Sequence, residues 1–256
     1  MARLERLTVY PVKGLDGIDV NAAELVDGGT LEHDREFALF DAEGDVLNGK
    51  RTDRVHRLRT AFDPESATFR VEPGDGEEHV FELPSERDAA GQWFSDYFDE
   101  ALTLEQDPSL GFVDRREMGP SVISTATLEA VASWFEEMTV DSARRRLRAN
   151  VEVAGVPAFW EDRFVGDGAP SFEIGTVRFE GVTPCGRCIV PERDPETGEA
   201  LSAFRERFVT RREETFPNWA DENAFDHFYT MMLIARVPER DRGEQLRVGD
   251  EVRVVT

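Results

Sequence analysis

The stretch Gly181–Gly198, Gly-Val-Thr-Pro-Cys-Gly-Arg-Cys-Ile-Val-Pro-Glu-Arg-Asp-Pro-Glu-Thr-Gly, holds both cysteines of the chain, Cys185 and Cys188, with Gly186 and Arg187 between them. The run Thr176–Val182 leads into it, with Val177 and Phe179 alternating against Arg178 and Glu180, the period of a strand. Asp194-Pro195-Glu196-Thr197-Gly198 follows as a turn. The expectation is therefore two thiols and a guanidinium on a short loop just past a strand, presented by a rigid scaffold.

Four chemistries fit that loop. A thioredoxin-like redox pair needs its cysteines at the start of a helix, and Pro191 stands against a continuous helix there. A zinc site needs four ligands, and His33, His56, His79 and His227 show no ligand spacing. A disulfide or a pair of inert buried thiols is the third reading. A single thiolate on a soft, heavy metal is the fourth. Spacing alone does not choose among them.

Charge is the loudest feature of the rest. Among 256 residues, 53 are acidic and 30 basic, a formal net charge of −23. Lysine occurs only at Lys13 and Lys50, so the positive charge is almost all arginine. A hydrophobic content of 40% still supports a core, which excludes a disordered chain. An acidic, lysine-poor surface is the kind found in halophilic proteins of salt-loaded cytoplasms, and it argues against nucleic acid as a partner. No apolar run approaches the ~20 residues that span a bilayer. Met-Ala-Arg-Leu-Glu does not read as a signal peptide. The expectation is a soluble cytoplasmic monomer with reduced thiols and no membrane partner.

Short strands are expected at Leu4–Tyr10, Ile18–Leu25, Arg35–Phe40, from Val46, at Leu58–Phe62, Phe69–Glu72 and His79–Leu83. A hairpin turn is expected at Pro73-Gly74-Asp75-Gly76. Their regularity suggests an antiparallel sheet or barrel. Trp93, Phe94, Tyr97 and Phe98 fall at helical spacing within a helix over about 89–98. Asp107–Pro120 reads as a connector. The stripe Leu128, Val131, Ala132 and Phe135, after N-cap candidates Ser124 to Thr127, gives a second helix. Leu147–Val153 reads as strand, Leu201, Phe204 and Phe208 as helix, and Thr230–Val237 and Leu246–Val255 as closing strands.

On so acidic a chain, clustered cations need a reason. Lys50–Arg59 carries Lys50, Arg51, Arg54, Arg57 and Arg59 against one acid, Asp53, and Arg144–Arg148 has four arginines in five residues. One reading is a solvated face paired with surrounding acids. The other is an anion site, because arginine's planar fork matches phosphate. The helix start at Ser124 and Thr125 offers further N–H donors.

Together these landmarks resemble the MOSC-domain proteins with an N-terminal MOSC β-barrel region, the group of the mitochondrial amidoxime reducing component. Val9-Tyr10-Pro11-Val12-Lys13-Gly14 resembles the family's Tyr-Pro-Val-Lys-Ser opening, and His33-Asp34-Arg35-Glu36-Phe37 its Asp-Arg-x-Trp segment. Leu147-Arg148-Ala149-Asn150-Val151 resembles Phe-Arg-Pro-Asn-Ile. Gly186-Arg187-Cys188 with Asp194–Gly198 resembles the Arg-Cys and Asp-Pro-x-Thr-Gly signature, and Val248-Gly249-Asp250 the terminal Val-Gly-Asp. Gly14, Phe37 and Ala149 depart from the family's serine, tryptophan and proline, and Cys185 is a second thiol.

The resemblance implies a mostly β (α+β) fold, an N-terminal antiparallel β region at 1–110 packed on a MOSC-type β-barrel at 111–256 with a few helices. It implies a molybdenum–molybdopterin cofactor with Cys188 as catalytic residue and molybdenum ligand. Lys13, Arg35 and Arg148 are then the phosphate and pterin contacts, with Gly14 beside Lys13 lacking the family's hydroxyl. Ser124 and Thr125 add hydrogen bonds, Asn150 and Arg187 position the pterin or the cysteine loop, and Arg51 joins from the basic stretch. The implied activity is a molybdenum-dependent oxidoreductase that reduces small N-hydroxylated or N-oxide substrates. No ferredoxin-like extension follows Thr256, so electrons are expected from a separate flavoprotein or iron–sulfur protein. The alternative is a sulfur- or cofactor-carrier domain working through a cysteine persulfide, as in sulfurase-associated MOSC domains. Pyridoxal phosphate binding is a term of the family only, since this chain offers no domain or lysine for it.

Overall fold

The computed structural model describes residues 1–74, 76–83, 85–115 and 118–255. Asp75 of the expected 73–76 turn and Arg116 and Glu117 of the expected connector lie outside the described residues. The strands are β1 (Arg3–Val9), β2 (Ile18–Val20), β3 (Ala22–Glu24), β4 (Phe37–Phe40), β5 (Leu58–Asp63), β6 (Thr68–Pro73), β7 (His79–Glu82) and β8 (Thr103–Gln106). They continue with β9 (Ser121–Ser124), β10 (Val151–Ala154), β11 (Ser171–Ile174), β12 (Val177–Gly186), β13 (Thr230–Arg236), β14 (Gln245–Arg247) and β15 (Val252–Val255). The helices are α1 (Arg87–Phe98), α2 (Thr125–Ser133), α3 (Val140–Leu147) and α4 (Phe204–Glu214).

The fold is mostly β. Its largest sheet runs β15-β11-β12-β13-β9-β10-β1-β2. Pairing is antiparallel except between β9 and β10. As paired, this sheet is open, although an isolated bridge between Arg3 and Glu251 draws its two sides together. The first strands therefore lie in the same sheet as the C-terminal strands, so pairing crosses the 110/111 division. The segment expected as one strand from Ile18 is two strands in different sheets. β2 pairs with β1, while β3 turns away to pair with β14.

The inner faces follow from alternation. Leu4, Leu7 and Val9 of β1 meet Val151 and Val153 of β10 and Phe172, Phe179 and Leu233 in one core. A second core forms where β5–β7 cover α1. There Phe62, Phe69 and Val71 pack with Phe94 and Phe98, so the helical aromatics are core. Burying such aromatics stabilises each by about 1.5–3 kcal/mol. α2 is capped by the Ser124 hydroxyl, which accepts from Thr127 N, and packs Leu128 and Val131 with Phe204 and Phe208 of α4 in a third core.

Four elements were not expected from sequence: β8, β9, β11 and α3. α3 ends on Arg148 in the left-handed region, φ 59°, so the chain turns sharply into β10. The expected strand over 147–153 accordingly begins only at Val151.

Candidate functional site

The cysteine stretch differs from the expected loop. β12 runs on to Gly186, so Cys185 sits on the strand's end and only Arg187 and Cys188 lie beyond it. Both thiols are free and half-buried. Cys188 is fixed through its backbone, because the Tyr229 hydroxyl donates to its carbonyl at 3.2 Å. Arg187 Nη1 donates to Cys185 Sγ at 3.3 Å and Nη2 to the Leu147 carbonyl at 2.9 Å.

The turn downstream is held just as tightly. Asp194 Oδ1 accepts from the backbone N of Glu196 and Thr197 at 2.9 and 3.0 Å. Arg146, almost fully buried on α3, donates to the Pro191 carbonyl at 3.0 Å and pairs with Asp194 at 3.3 Å. The four-arginine run thus divides by role. Arg144 is paired with buried Glu152, Nε to Oε2 at 2.8 Å, and Arg145 with Glu196 at 3.1 Å. Arg148 has no carboxylate partner among the described residues.

These elements surround a cavity of about 540 Å³, within the size range of small-molecule and cofactor sites. Cys185, Arg187 and Cys188 line it, together with Lys13, Gly14, Arg35, Arg148 and Asn150. At its wall Tyr10 is buried between two guanidinium groups, Arg148 at 4.1 Å and Arg35 at 4.9 Å from the ring centroid. Burial raises the Tyr10 pKa, opposed by the two arginines, so the ring stays a neutral platform. Burial lowers the pKa of Arg148. For Arg35 burial works the same way, but Asp34 beside it outweighs it and the pKa is raised. Arg148 Nη2 also donates to the Leu15 carbonyl at 2.6 Å, tying α3 to the N-terminal segment.

Lys13 pairs with Asp114 at 2.6 Å, and Lys50 reaches the other oxygen of that carboxylate at 3.4 Å. Asn150 is buried with both ends of its amide engaged. Its Oδ1 accepts from Ser121 N and Oγ, and its Nδ2 donates to the Thr8 carbonyl. These bonds tie β1, β9 and the start of β10 together and fix the wall.

Three expected site residues are not brought to this cavity. Arg51 is held by Asp41 and Glu100. The Ser124 hydroxyl, completely buried, is taken up by the α2 cap, and the Thr125 hydroxyl donates to Glu152 at 3.0 Å. The segment that does line the cavity comes just earlier: Asp114, Gly119 and Ser121. Sequence reading also passed over His56 and Arg193. Both line the cavity, and each carries a buried ring or guanidinium nitrogen with no hydrogen-bond partner among the described residues. Burial, then Arg148 and Arg193, hold His56 down at about 4, a neutral imidazole at neutral pH. Arg193 lies outside both arginine clusters, between Glu192 and Asp194, which left it without a signal.

Residues 116–253 match the family model described as MOSC domain, and residues 1–101 match MOSC N-terminal beta barrel domain. The chain belongs to the MOSC-domain family. It is 22% identical over 249 residues to molybdenum cofactor sulfurase of Oryza sativa subsp. japonica, covering 78% of this chain and 29% of that protein. It is 25% identical over 255 residues to molybdenum cofactor sulfurase of Solanum lycopersicum, with 81% and 31% covered. It is 23% identical over 250 residues to mitochondrial amidoxime reducing component 2 of Bos taurus, with 79% and 72% covered. The chain thus spans under a third of these sulfurases and most of the amidoxime reducing component. A molybdenum-cofactor-related role is common to the sulfurase names. No helix among the described residues is long and apolar enough to cross a membrane.

Proposed function

We propose that this MOSC-domain chain binds a molybdenum–molybdopterin cofactor in the 540 Å³ cavity and works as a molybdenum-dependent reductase of small N-hydroxylated or N-oxide compounds. Electrons come from a separate donor protein. The observation that carries this reading is the convergence on one cavity wall of Cys188 with Lys13, Arg35 and Arg148, which are far apart in sequence. The donor set suits the group: a soft thiol for molybdenum, and guanidinium and ammonium groups for a phosphate. Unpartnered buried nitrogens on Arg187 and Arg193 leave polar capacity at the same wall.

In this reading the cofactor supplies oxygen-atom and two-electron chemistry, and the chain supplies position and electrostatics. Cys188 would hold the metal from the loop just past β12. Arg148 and Arg35 are both stacked on Tyr10: Arg148 would offer the phosphate a guanidinium with no carboxylate partner among the described residues, and Arg35 one already paired with Asp34. Arg187 braces the cysteine loop against α3 through the Leu147 carbonyl. Gly14 and Asn150 shape the wall. Ser124, Thr125 and Arg51 have no part in it.

The test is molybdenum analysis with oxidised-pterin fluorescence on protein from a cofactor-competent host. Near-stoichiometric metal and pterin in the parent, lost in Cys188→Ala with circular dichroism unchanged, is the expected result. Retention of both in Cys188→Ala sinks the ligand assignment.

A second reading rests on one contact, the Arg187 guanidinium on Cys185 Sγ, together with the sulfurase relatives. There Cys185 carries sulfur as a persulfide. Intact-mass spectrometry distinguishes the two, because a persulfide adds one sulfur atom that thiol reductants remove.

A further inference from the structure

A second cavity, of about 550 Å³, adjoins the first. His56, Arg59 and Arg145 line both. Its other walls include Arg54, Arg57 and Glu196. Cations therefore crowd a small space on a chain whose net charge is −23.

Most of these cations are already engaged. Arg54 Nη1 donates to the Phe98 carbonyl at 3.1 Å and stacks on Tyr97. Arg57 pairs with Asp53 at 3.2 Å. Arg145 pairs with Glu196 at 3.1 Å and donates to the Pro195 carbonyl. Arg59 differs. It is exposed on β5, directly across from Glu72 in the β5–β6 register, yet its guanidinium makes no ion pair or hydrogen bond among the described residues. In a chain with nearly two acids per base, a free arginine at the junction of two cavities is the feature that calls for a ligand.

We propose that the second cavity is a subsite for a carboxylate on the substrate, held by Arg59, while the N-hydroxylated end of the same molecule enters the first cavity beside Cys188. The proposal rests on the reductase reading and names the substrate class within it, N-hydroxylated compounds bearing a remote carboxylate. Arginine's planar fork matches the two oxygens of a carboxylate. One free guanidinium with Glu196 nearby suits a monoanion better than a phosphate dianion. His56, uncharged at the junction, adds no competing charge and lets an apolar linker pass.

The test compares 4-carboxybenzamidoxime with neutral benzamidoxime on the full chain purified from a cofactor-competent host. Isothermal titration calorimetry without reductant, at fixed ionic strength, gives binding. Steady-state reduction with a chemical electron donor gives KM and kcat. The parent is expected to bind the carboxylated probe roughly fivefold more tightly. Arg59→Ala brings the two affinities together and raises KM for the carboxylated probe by the same factor. Arg59→Lys restores part of the preference. Arg59 is exposed, so neither variant threatens folding. A parent that does not discriminate between the probes overturns the proposal, as does an Arg59→Ala protein that keeps the preference. If calorimetry shows the preference but neither probe is reduced, the carboxylate subsite stands and the reductase reading falls.

Discussion

Lys13 Nζ donates to Asp114 Oδ1 at 2.6 Å, and Lys50 closes on the other oxygen, so one carboxylate holds both lysines of the chain. Lys13 lines the candidate site, and Asp114 sits where it competes with any anionic ligand for that ammonium. Burial pushes the Asp114 carboxyl up, but the two lysines outweigh it and hold its pKa below the usual range. It is therefore ionised, and competing, throughout the neutral range. Asp114→Asn is expected to tighten binding of inorganic phosphate by roughly two- to fivefold, the scale of a largely exposed ion pair. Phosphorus NMR titration of the parent and variant measures it. Unchanged or weaker binding shows that the pair supports the wall instead of guarding the lysine.

Gly14 stands where the resembling families carry serine. Its φ is +92°, and a Cβ there meets Asn48 Cα at 3.2 Å. Restoring serine therefore brings backbone strain and a close contact together. Gly14→Ser is expected to cost about 1–3 kcal/mol of stability. Urea unfolding at neutral pH checks this. A variant as stable as the parent means the 13–15 segment relaxes freely.

Buried carboxylates give a pH dependence away from the site. Glu161 is almost wholly buried with Oε1 unpartnered, beside Asp162, which pairs with the completely buried Arg212. Burial first, then Asp162, raises Glu161 from the usual 4.5 to about 8. Between those values the folded protein binds the proton more tightly than the unfolded chain. This stabilisation is full below the lower value and is lost as pH rises towards 8, on the order of a few kcal/mol. Glu161→Gln keeps the shape and removes the titration. Its stability should be flatter with pH than the parent's in urea unfolding across this range. Equal slopes would contradict the assignment.

What the sequence revealed and withheld follows from what each signal depends on. Alternation placed β1, β5 and β6 nearly to the residue, because each buries one face and turns the other towards water. β4 buries Phe37, Ala38 and Leu39 in succession, so alternation could not bound it. β9 is four buried residues in a row, Ser121 to Ser124, and its two serines disguised a central strand as a helix cap and connector. α3 was missed because a run of arginines reads as a charged surface. Only the fold shows that they point to four different partners. The family's fragments named Lys13, Arg35, Arg148, Asn150, Arg187 and Cys188, and these line one cavity. Ser124 and Thr125 were expected at the site from the helix start, whereas their hydroxyls serve the helix and Glu152 and neither residue lines the cavity. Nothing in sequence says that Arg51 is held by Asp41 and Glu100 while Arg59 has no ion pair or hydrogen bond among the described residues.

The pairing of Arg148 with Tyr10 supports the last prediction. The guanidinium lies 4.1 Å from the ring centroid, and the ring's other polar contact is a 3.3 Å bond from its hydroxyl to the Ala149 carbonyl. If the ring is what matters, Tyr10→Phe should change stability by under about 1 kcal/mol, since one weak hydrogen bond is lost. Tyr10→Leu removes the platform under two arginines and should cost about 2–4 kcal/mol, combining a smaller buried side chain with lost cation–π attraction. It should also weaken phosphate binding, because Arg148 and Arg35 lose the surface that aims them. Thermal unfolding and the phosphate titration separate these effects. A Tyr10→Leu protein that loses stability but binds phosphate normally would show that Arg148 and Arg35 are aimed by their Leu15 and Asp34 contacts alone.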